Sequence, residues 1–278
     1  MIIKICNHLW DWNLHIYTNS REIYIYLLDI CAMLITNNDC LNCGKTSDCI
    51  NITLSEDIYM IDYTKDNLHF EYIDYKQVIY TVYELILLSF NKSNFNRFAL
   101  FHGGVVADND KCYCFLAPTL TGKSTLTYNL CESEYKYMGD DHVIYDMQNN
   151  ACISFPKPIS IRNNTFINPK GKCFESIDFK MNPRYLYYQI AHIGCGESRK
   201  INAIFILHRG DNLPLEWRRY SCGMAYRELM FNSRENADVD VNQKAALLLA
   251  NNCSVYSVQY SETKQVVKML DELEEADR

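Results

Sequence analysis

Residues 117–125 have the types and spacing of a loop that can bind a polyphosphate. Such a loop needs a concave turn of backbone amides, a helix N-terminus, a lysine for the outer phosphates and a hydroxyl for Mg²⁺. Gly122, Lys123 and Ser124 supply these parts in order, between the apolar run CYCFL and the helix-like run STLTYNL. The pattern therefore predicts a phosphate-binding loop that joins a strand to a helix.

This loop departs from the usual pattern at two points. Ala117 stands where a glycine usually begins the loop, and no glycine lies in its middle. Alanine fits there as long as its φ angle is negative. The alternative to a nucleotide site is a Gly-Lys-Ser turn without a ligand. The residues predicted to contact the nucleotide are Ala117, Thr119, Thr121, Gly122, Lys123, Ser124 and Thr125.

Two adjacent carboxylates, Asp140 and Asp141, follow a second apolar segment downstream of the loop. On a parallel strand beside the strand of the loop, they would lie at the same edge of the sheet. One carboxylate can complete the coordination of Mg²⁺ together with Ser124, while the other accepts the proton of an incoming hydroxyl near the γ-phosphate. The alternative is a solvated Asp-Asp turn, which the upstream phosphate loop disfavours.

His102 lies in residues 101–104, Phe-His-Gly-Gly, at the start of the strand that precedes the strand of the loop. This position could place an imidazole near the same crevice, where it would orient or polarise the base. The alternative is a histidine with a purely structural role. Lys157 and Arg162 could likewise reach a phosphate or an acidic acceptor, or be ordinary surface cations.

The order of these motifs resembles the HPr kinase/phosphorylase superfamily, in particular its HPr-kinase-related members found beside ribosomally made peptides. The likeness runs from about Asn96 to the C-terminus and is most specific between His102 and Asp146. Residues 155–162, Phe-Pro-Lys-Pro-Ile-Ser-Ile-Arg, also resemble a stretch that follows the paired aspartates in those relatives. An obvious Glu-x-Arg-Gly signature of the true HPr kinases is missing, so HPr itself is not the expected substrate.

This resemblance implies an α/β fold with a phosphoenolpyruvate-carboxykinase-like nucleotide core, and ATP-dependent phosphorylation of a serine hydroxyl on a peptide or small protein. It assigns phosphate binding to Lys123, Mg²⁺ to Ser124 and Asp141, and the role of base to Asp140. His102 would support that base. The roles of the two aspartates could be exchanged. Relatives form oligomers, which allows a homo-oligomer here without requiring one.

The hydrophobic pattern predicts the elements that must position these residues. IYMIDY and LHFEYI read as strands of a hairpin around residues 64–67, and QVIYTVYELILLSFNKS reads as an amphipathic helix. Beyond Asn96, strands and helices alternate. We therefore expect a smaller α+β region over residues 1–95, which helps to bind the acceptor, and a nucleotide-binding catalytic domain over residues 96–278.

Composition excludes several classes of protein. The 27 Lys and Arg against 34 Asp and Glu give a net charge of -7, so nucleic acids and anionic membranes are not expected partners. The longest apolar stretch, residues 23–35, contains Asp29 and is too short to cross a bilayer. Residues 1–13 lack the features of a secretory signal, so a cytoplasmic protein is expected.

Thirteen cysteines in such a chain are expected to be mostly reduced, small buried residues. The one arrangement with metal-ligand spacing is Cys40-Leu-Asn-Cys43, with Cys49 after it and Cys31 upstream. A second CxxC pair is missing, so ordinary free thiols are favoured over a zinc site.

Three functions remain in competition on these grounds. The first is a kinase that uses ATP and Mg²⁺ to phosphorylate a peptide or small protein. The second is a non-catalytic module whose degenerate loop binds nucleotide or peptide. The third is an ATPase with water as the acceptor.

Overall fold

The computed structural model describes residues 1–7, 12–31, 33–34, 48–94, 96–133, 135–162, 174–177, 185–190, 193–234 and 238–276. The described part is a mixed α/β protein with three sheets and six helices. Cys40 and Cys43, the CxxC pair with metal-ligand spacing, lie outside these residues. Among the helices of the described ranges, we find none that is both long and apolar enough to cross a membrane.

The first part of the chain forms a five-stranded sheet with two helices. These elements are β1 (Ile2–Asn7), β2 (Trp12–Thr18), α1 (Arg21–Cys31), β3 (Asp48–Ser55), β4 (Ile58–Tyr63), β5 (Leu68–Tyr72) and α2 (Tyr75–Ser93). The strands follow the order β1-β2-β3-β4-β5, and only β2 and β3 are parallel. Parallel neighbours need a crossover connection, and α1 lies in it.

The hairpin and the amphipathic helix predicted in this region are confirmed. Tyr63 pairs with Leu68 across the turn between β4 and β5, and Asn67 has a φ of 52°, as a tight turn requires. The helix α2 begins where the side chain of Asp74 accepts a hydrogen bond from the backbone N–H of Lys76. Its apolar face is buried against the sheet.

The second part of the chain builds a nine-stranded sheet. Its first elements are β6 (Phe98–Phe101), β7 (Gly103–Asp108), β8 (Lys111–Leu116), α3 (Lys123–Ser133), β9 (Lys136–Gly139), β10 (Val143–Asp146) and β11 (Ala151–Ile153). A separate antiparallel sheet follows, with β12 (Ile159–Arg162), β13 (Phe174–Ile177) and β14 (Tyr185–Ile190) in the order β12-β14-β13. The large sheet is completed by β15 (Ser198–Arg209), β16 (Glu216–Arg219) and β17 (Ser254–Tyr260), among the helices α4 (Cys222–Phe231), α5 (Val239–Asn252) and α6 (Thr263–Ala276).

The large sheet has the order β6-β10-β11-β15-β8-β7-β9, with β17 also paired to β15 and β16 paired to β17. The long strand β15 is parallel to β8 on one side and to β17 on the other. Side chains of α3 and α6 pack with those of β8 and β15 in one hydrophobic core. Side chains of α4 and α5 belong to another core. Helices therefore cover both faces of the sheet, as in other α/β folds.

Two segments that the sequence presents as single strands are each split by a site residue. Residues 98–106 form β6 and β7, with the break at His102, and residues 135–146 form β9 and β10, with the break at residues 140–142. The prediction that the aspartates end a strand directly beside the strand of the loop is wrong. The neighbour of β8 is β7, because these two strands form a hairpin that turns at Asn109. β9 pairs with the other side of β7, and β7 is antiparallel to both strands.

The five-stranded sheet shares a hydrophobic core with the larger one. Trp12 and Phe90 from the first part of the chain contact Phe155 of the second, with ring centroids 6.2 Å and 5.0 Å away. Phe98 lies in the same core and stacks on Phe90 at 5.3 Å. The five-stranded sheet and α2 are therefore packed directly onto the part of the chain that carries the predicted site.

Candidate active site

The three predicted motifs leave the large sheet at the same edge. Gly103 pairs with Leu116 across β7 and β8, and Gly139 pairs with Val105 across β9 and β7. His102 before β7, the loop after β8 and Asp140 after β9 therefore emerge side by side. The antiparallel pairing of β7 with both β8 and β9 brings them together, and not the predicted parallel neighbour of β8.

Residues 117–122 form the loop between β8 and the first residue of α3, Lys123. Gly122 has a φ of 89°, a left-handed conformation that glycine adopts without strain. Leu120 has a φ of 77° in the middle of the loop, where a non-glycine residue is strained, and its side chain is 66% exposed. Ala117 is buried and is not among the residues with positive φ, so alanine fits the position where a glycine is usual.

The loop is held by hydrogen bonds to its main-chain carbonyls. The ammonium of Lys123, only 5% exposed, donates to the carbonyls of Ala117 at 2.8 Å and Pro118 at 2.9 Å. Thr121 Oγ1 also donates to the carbonyl of Pro118, at 2.8 Å. Burial lowers the pKa of Lys123. The lysine thus lies inside the loop, where a phosphate could replace the carbonyls as its partner.

Asp140 joins the loop to the end of β9. Its Oδ2 accepts a hydrogen bond of 2.7 Å from the hydroxyl of Ser124, in the first turn of α3. Asp140 is 1% exposed, and its Oδ1 is buried without a hydrogen-bond partner among the described residues. Burial, and then the charge of Asp141, raise the pKa of Asp140 to about 6. A buried hydroxyl–carboxylate pair with an unused oxygen can hold a cation.

Asp141 forms an ion pair with Lys157. Its side chain is 31% exposed, so it can be reached from solvent. Burial acts to raise the pKa of Asp141, but the ammonium of Lys157 outweighs burial and holds the pKa well below its ordinary value. The Lys157 ammonium also lies 5.6 Å from the ring centroid of Tyr83 on α2.

His102 contacts the main chain of Asp141 rather than its carboxylate. Its Nδ1 lies 3.3 Å from the carbonyl of Asp141, which also accepts a hydrogen bond of 2.9 Å from Arg234 Nη2. Burial, helped by the charges of Lys123 and Arg234, lowers the pKa of His102 to about 4, so the ring is neutral near pH 7. The neutral ring donates through Nδ1 and leaves Nε2 as an acceptor.

Several buried polar atoms around these residues have no hydrogen-bond partner in the described part of the chain. They are His102 Nε2, Thr127 Oγ1, Asp140 Oδ1, His142 Nδ1, His142 Nε2 and Arg234 Nε. Buried polar groups usually have partners, and groups without one mark places where water or a ligand binds. Their concentration at one edge of the large sheet supports a polar ligand site there.

Sequence reasoning missed Arg234, Tyr83 and Tyr260, which reach the site from distant parts of the chain. Tyr260 donates to the carbonyl of Thr121 at 2.7 Å. No local motif marks these residues, because each is one polar residue in an ordinary helix, strand or loop. Of the two cations left open, Lys157 meets Asp141, whereas Arg162 lies exposed on β12.

Among the other predicted nucleotide contacts, Thr119 is exposed on the loop, and Thr121 and Thr125 are half-buried. The remaining cysteines with metal-ligand spacing are Cys31, which is buried at the end of α1, and Cys49, which is half-buried on β3.

The known proteins that resemble this chain are found among solved structures. No family model and no curated protein matches the chain. Among solved structures, the HPr(Ser) kinase/phosphatase from Coxiella burnetii is similar, at 11% sequence identity and a TM-score of 0.33. The match covers 63% of this chain and 98% of that one. A likeness of this degree assigns no family, and the chain stands as a mixed α/β protein with a polar site at one edge of its large sheet.

Proposed function

We propose that the chain is a kinase that uses ATP and Mg²⁺ to phosphorylate a hydroxyl of a peptide or small protein. The observation that carries this proposal is the 2.7 Å hydrogen bond from the hydroxyl of Ser124 to Asp140. Ser124 directly follows Lys123, the first residue of α3. A helix N-terminus with a lysine favours phosphate, and an adjacent hydroxyl and carboxylate favour Mg²⁺. Together these groups match the needs of a phosphoryl-transfer site.

The residues at this edge fit Mg²⁺ and a triphosphate. The unpaired Oδ1 of Asp140 is a buried oxygen available to a cation, and Ser124 offers a second oxygen. Lys123 would exchange its two carbonyl partners for phosphate oxygens. Bound Mg²⁺·ATP would supply the phosphoryl group and the ion that neutralises its charge.

The geometry favours exchanging the roles first assigned to the two aspartates. Asp140 contacts Ser124 and is buried, which suits a metal ligand. Asp141 is 31% exposed and is kept ionised by Lys157, so it can accept a hydrogen bond from an incoming hydroxyl. We therefore assign Mg²⁺ to Ser124 and Asp140, and orientation of the acceptor hydroxyl to Asp141.

His102 and Arg234 act in this proposal as positioning residues. Both contact the main-chain carbonyl of Asp141, whose φ of 66° is unusual for a non-glycine residue. These two contacts support the strained turn at which Asp140 meets Ser124 and Asp141 meets Lys157.

The acceptor would approach along α2. Tyr83 of this helix lies next to Lys157, and Tyr80, one turn earlier, is 59% exposed. Residues 1–95 would thus form one wall of the acceptor site, as expected from the sequence. We propose maturation of a ribosomally made peptide in the cytoplasm as the context of the reaction.

A transfer assay tests the kinase proposal. The purified chain is incubated with Mg²⁺, ATP labelled at the γ-phosphate, and serine- or threonine-containing peptides, including those encoded by neighbouring genes. We expect label in a peptide, and a fall of about 10²–10³-fold for Lys123→Ala and Asp140→Asn. The matched controls are Lys136→Ala and Asp110→Asn, which alter exposed residues. Transfer at the control rate in either site variant contradicts the proposal.

A non-catalytic binding module is the second candidate, because Lys123 is satisfied by its own loop and Leu120 is strained where a glycine would relax the loop. Titration calorimetry with Mg²⁺·ATP separates the candidates. Binding without transfer to any peptide favours the module, and no binding excludes both the kinase and a nucleotide module. Release of phosphate without a peptide, lost in Asp140→Asn, identifies an ATPase.

A further inference from the structure

Three thiols lie close together on one face of the large sheet, away from the candidate active site. They belong to Cys112 and Cys114 on β8 and to Cys152 on β11, and all three residues are buried. Their Sγ atoms all lie within 4.8 Å of one another, and those of Cys114 and Cys152 are 3.4 Å apart. This is the one group of three or more metal-ligand side chains found within the described residues.

The strand register explains why the thiols converge. Cys112 and Cys114 are alternate residues of β8 and therefore face the same side of the sheet. The strand β15 separates β8 from β11. Its residue Ile201 pairs with Cys112 of β8, and its residue Arg199 pairs with Cys152 of β11. The paired residues of β15 are also alternate, so all three thiols point into the core that is covered by α4 and α5.

We propose that Cys112, Cys114 and Cys152 bind one thiophilic metal ion. A metal–sulfur bond of about 2.3 Å places the sulfurs of one ion about 4 Å apart. The observed spacing needs side-chain shifts of about 1 Å or less to reach this value. Thiolate ligands select soft ions such as Cu⁺ and Zn²⁺.

Binding replaces three S–H bonds with three metal–sulfur bonds and releases three protons to solvent. Cu⁺ is satisfied by three thiolates, whereas structural Zn²⁺ takes four ligands. With three thiols among the described residues, the cluster matches Cu⁺ more closely than Zn²⁺. The guanidinium of Arg199 acts on Cys112 as a nearby positive charge and would offset the charge of the thiolates.

The ion would join β8 to β11 across β15. Since the phosphate loop directly follows β8, this link would fix the strand from which the loop starts. The thiols are closed off from solvent, so the ion must enter as the chain folds, and its binding free energy adds to folding stability.

Metal content measured after refolding tests this inference. The full chain is unfolded and refolded without oxygen, in one arm with Zn²⁺ and in another with Cu⁺, and bound metal is measured after dialysis. We expect the wild-type chain to retain one more ion than Cys152→Ala and to have a higher thermal midpoint when loaded.

Two controls separate this cluster from other cysteines. Cys131→Ala removes a buried thiol from the opposite face of the sheet, and the double variant Cys40→Ser/Cys43→Ser removes the CxxC pair. Both should bind the ion as the wild type does. Cys114→Ser, which keeps nearly the same volume, replaces Cys152→Ala where that variant does not fold.

Equal metal content in the wild type and in the cluster variants overturns the inference, as does the absence of bound metal in both arms. A disulfide between Cys114 and Cys152 in the native protein, seen by mass spectrometry, overturns it as well.

Discussion

The hydroxyl of Tyr260 donates a 2.7 Å hydrogen bond to the carbonyl of Thr121, which connects β17 to the loop of residues 117–122. The ring of Tyr260 is buried, and burial raises the pKa of its hydroxyl to about 12, so it remains a donor at neutral pH. Gly122 is packed nearby, because a Cβ atom there would lie 3.5 Å from the Tyr260 hydroxyl. The loop conformation therefore depends on β17.

Tyr260→Phe should loosen the loop, because the substitution removes this hydrogen bond and keeps the ring in the core. We expect a loss of about 1 kcal/mol in the free energy of unfolding and a several-fold weaker affinity for Mg²⁺·ATP. Denaturant titration and calorimetry measure the two effects. Tyr256→Phe, on the same strand, is the control, and an equal effect of both variants would count against a specific role for Tyr260.

Leu120→Gly should relieve strain in the loop, because glycine adopts a φ near 77° without a Cβ clash. Leu120→Ala is the matched comparison, since it also removes the exposed side chain but keeps the Cβ atom. We expect the glycine variant to be about 1 kcal/mol more stable than the alanine variant in urea unfolding. A less stable glycine variant would show that the left-handed conformation is not retained in solution.

Asp140→Asn should change how stability depends on pH in the absence of Mg²⁺ and nucleotide. Burial raises the pKa of Asp140 from 3.8 to about 6, so the protonated carboxyl is favoured in the folded state. The raised pKa therefore stabilises the folded state fully below about pH 4. This stabilisation, ~3 kcal/mol, is lost as the pH rises through about 6. Relative to wild type, the variant should therefore gain stability between these values.

Urea unfolding in buffers from about pH 4 to about pH 8 measures this difference. Asp110→Asn, at an exposed turn, serves as the control and should follow the wild-type curve. Parallel curves for Asp140→Asn and the wild type would mean that Asp140 is not buried as a carboxyl group.

Gly104→Ala should displace α3 from β7, because a Cβ atom at this position would overlap with Thr127 Oγ1. We expect a loss of about 2 kcal/mol in the free energy of unfolding, as for other overpacked cores. Thr127→Ala should restore most of this loss in the double variant, since the clashing hydroxyl is removed and has no hydrogen-bond partner among the described residues. Additive effects of the two substitutions would contradict the close contact.

Local pattern was sufficient for many of the elements. The hairpin of β4 and β5, the helix α2 and the strand–loop–helix unit of β8 and α3 agree with the structure. In each case the signal lies within about twenty residues, where the spacing of apolar side chains and the turn residues directly reflect the backbone conformation.

The site was predictable to a lesser extent. Residue types and spacing predicted that Lys123, Ser124 and the two aspartates belong to one site, and the structure brings them to one edge of the sheet. The sequence could not decide which aspartate faces Ser124. That choice depends on the turn at Asp141, whose carbonyl is held by Arg234 from another part of the chain.

By itself, the sequence determined many of the helices and strands, and which polar side chains lie near their ends, since both depend on short-range periodicity and turn chemistry. Only the tertiary structure decided that β7 separates β8 from β9, that Lys157 pairs with Asp141, and that Tyr260 contacts the loop. These relationships join residues far apart in the chain. They follow from the packing of whole elements around a shared core, which local residue patterns do not specify.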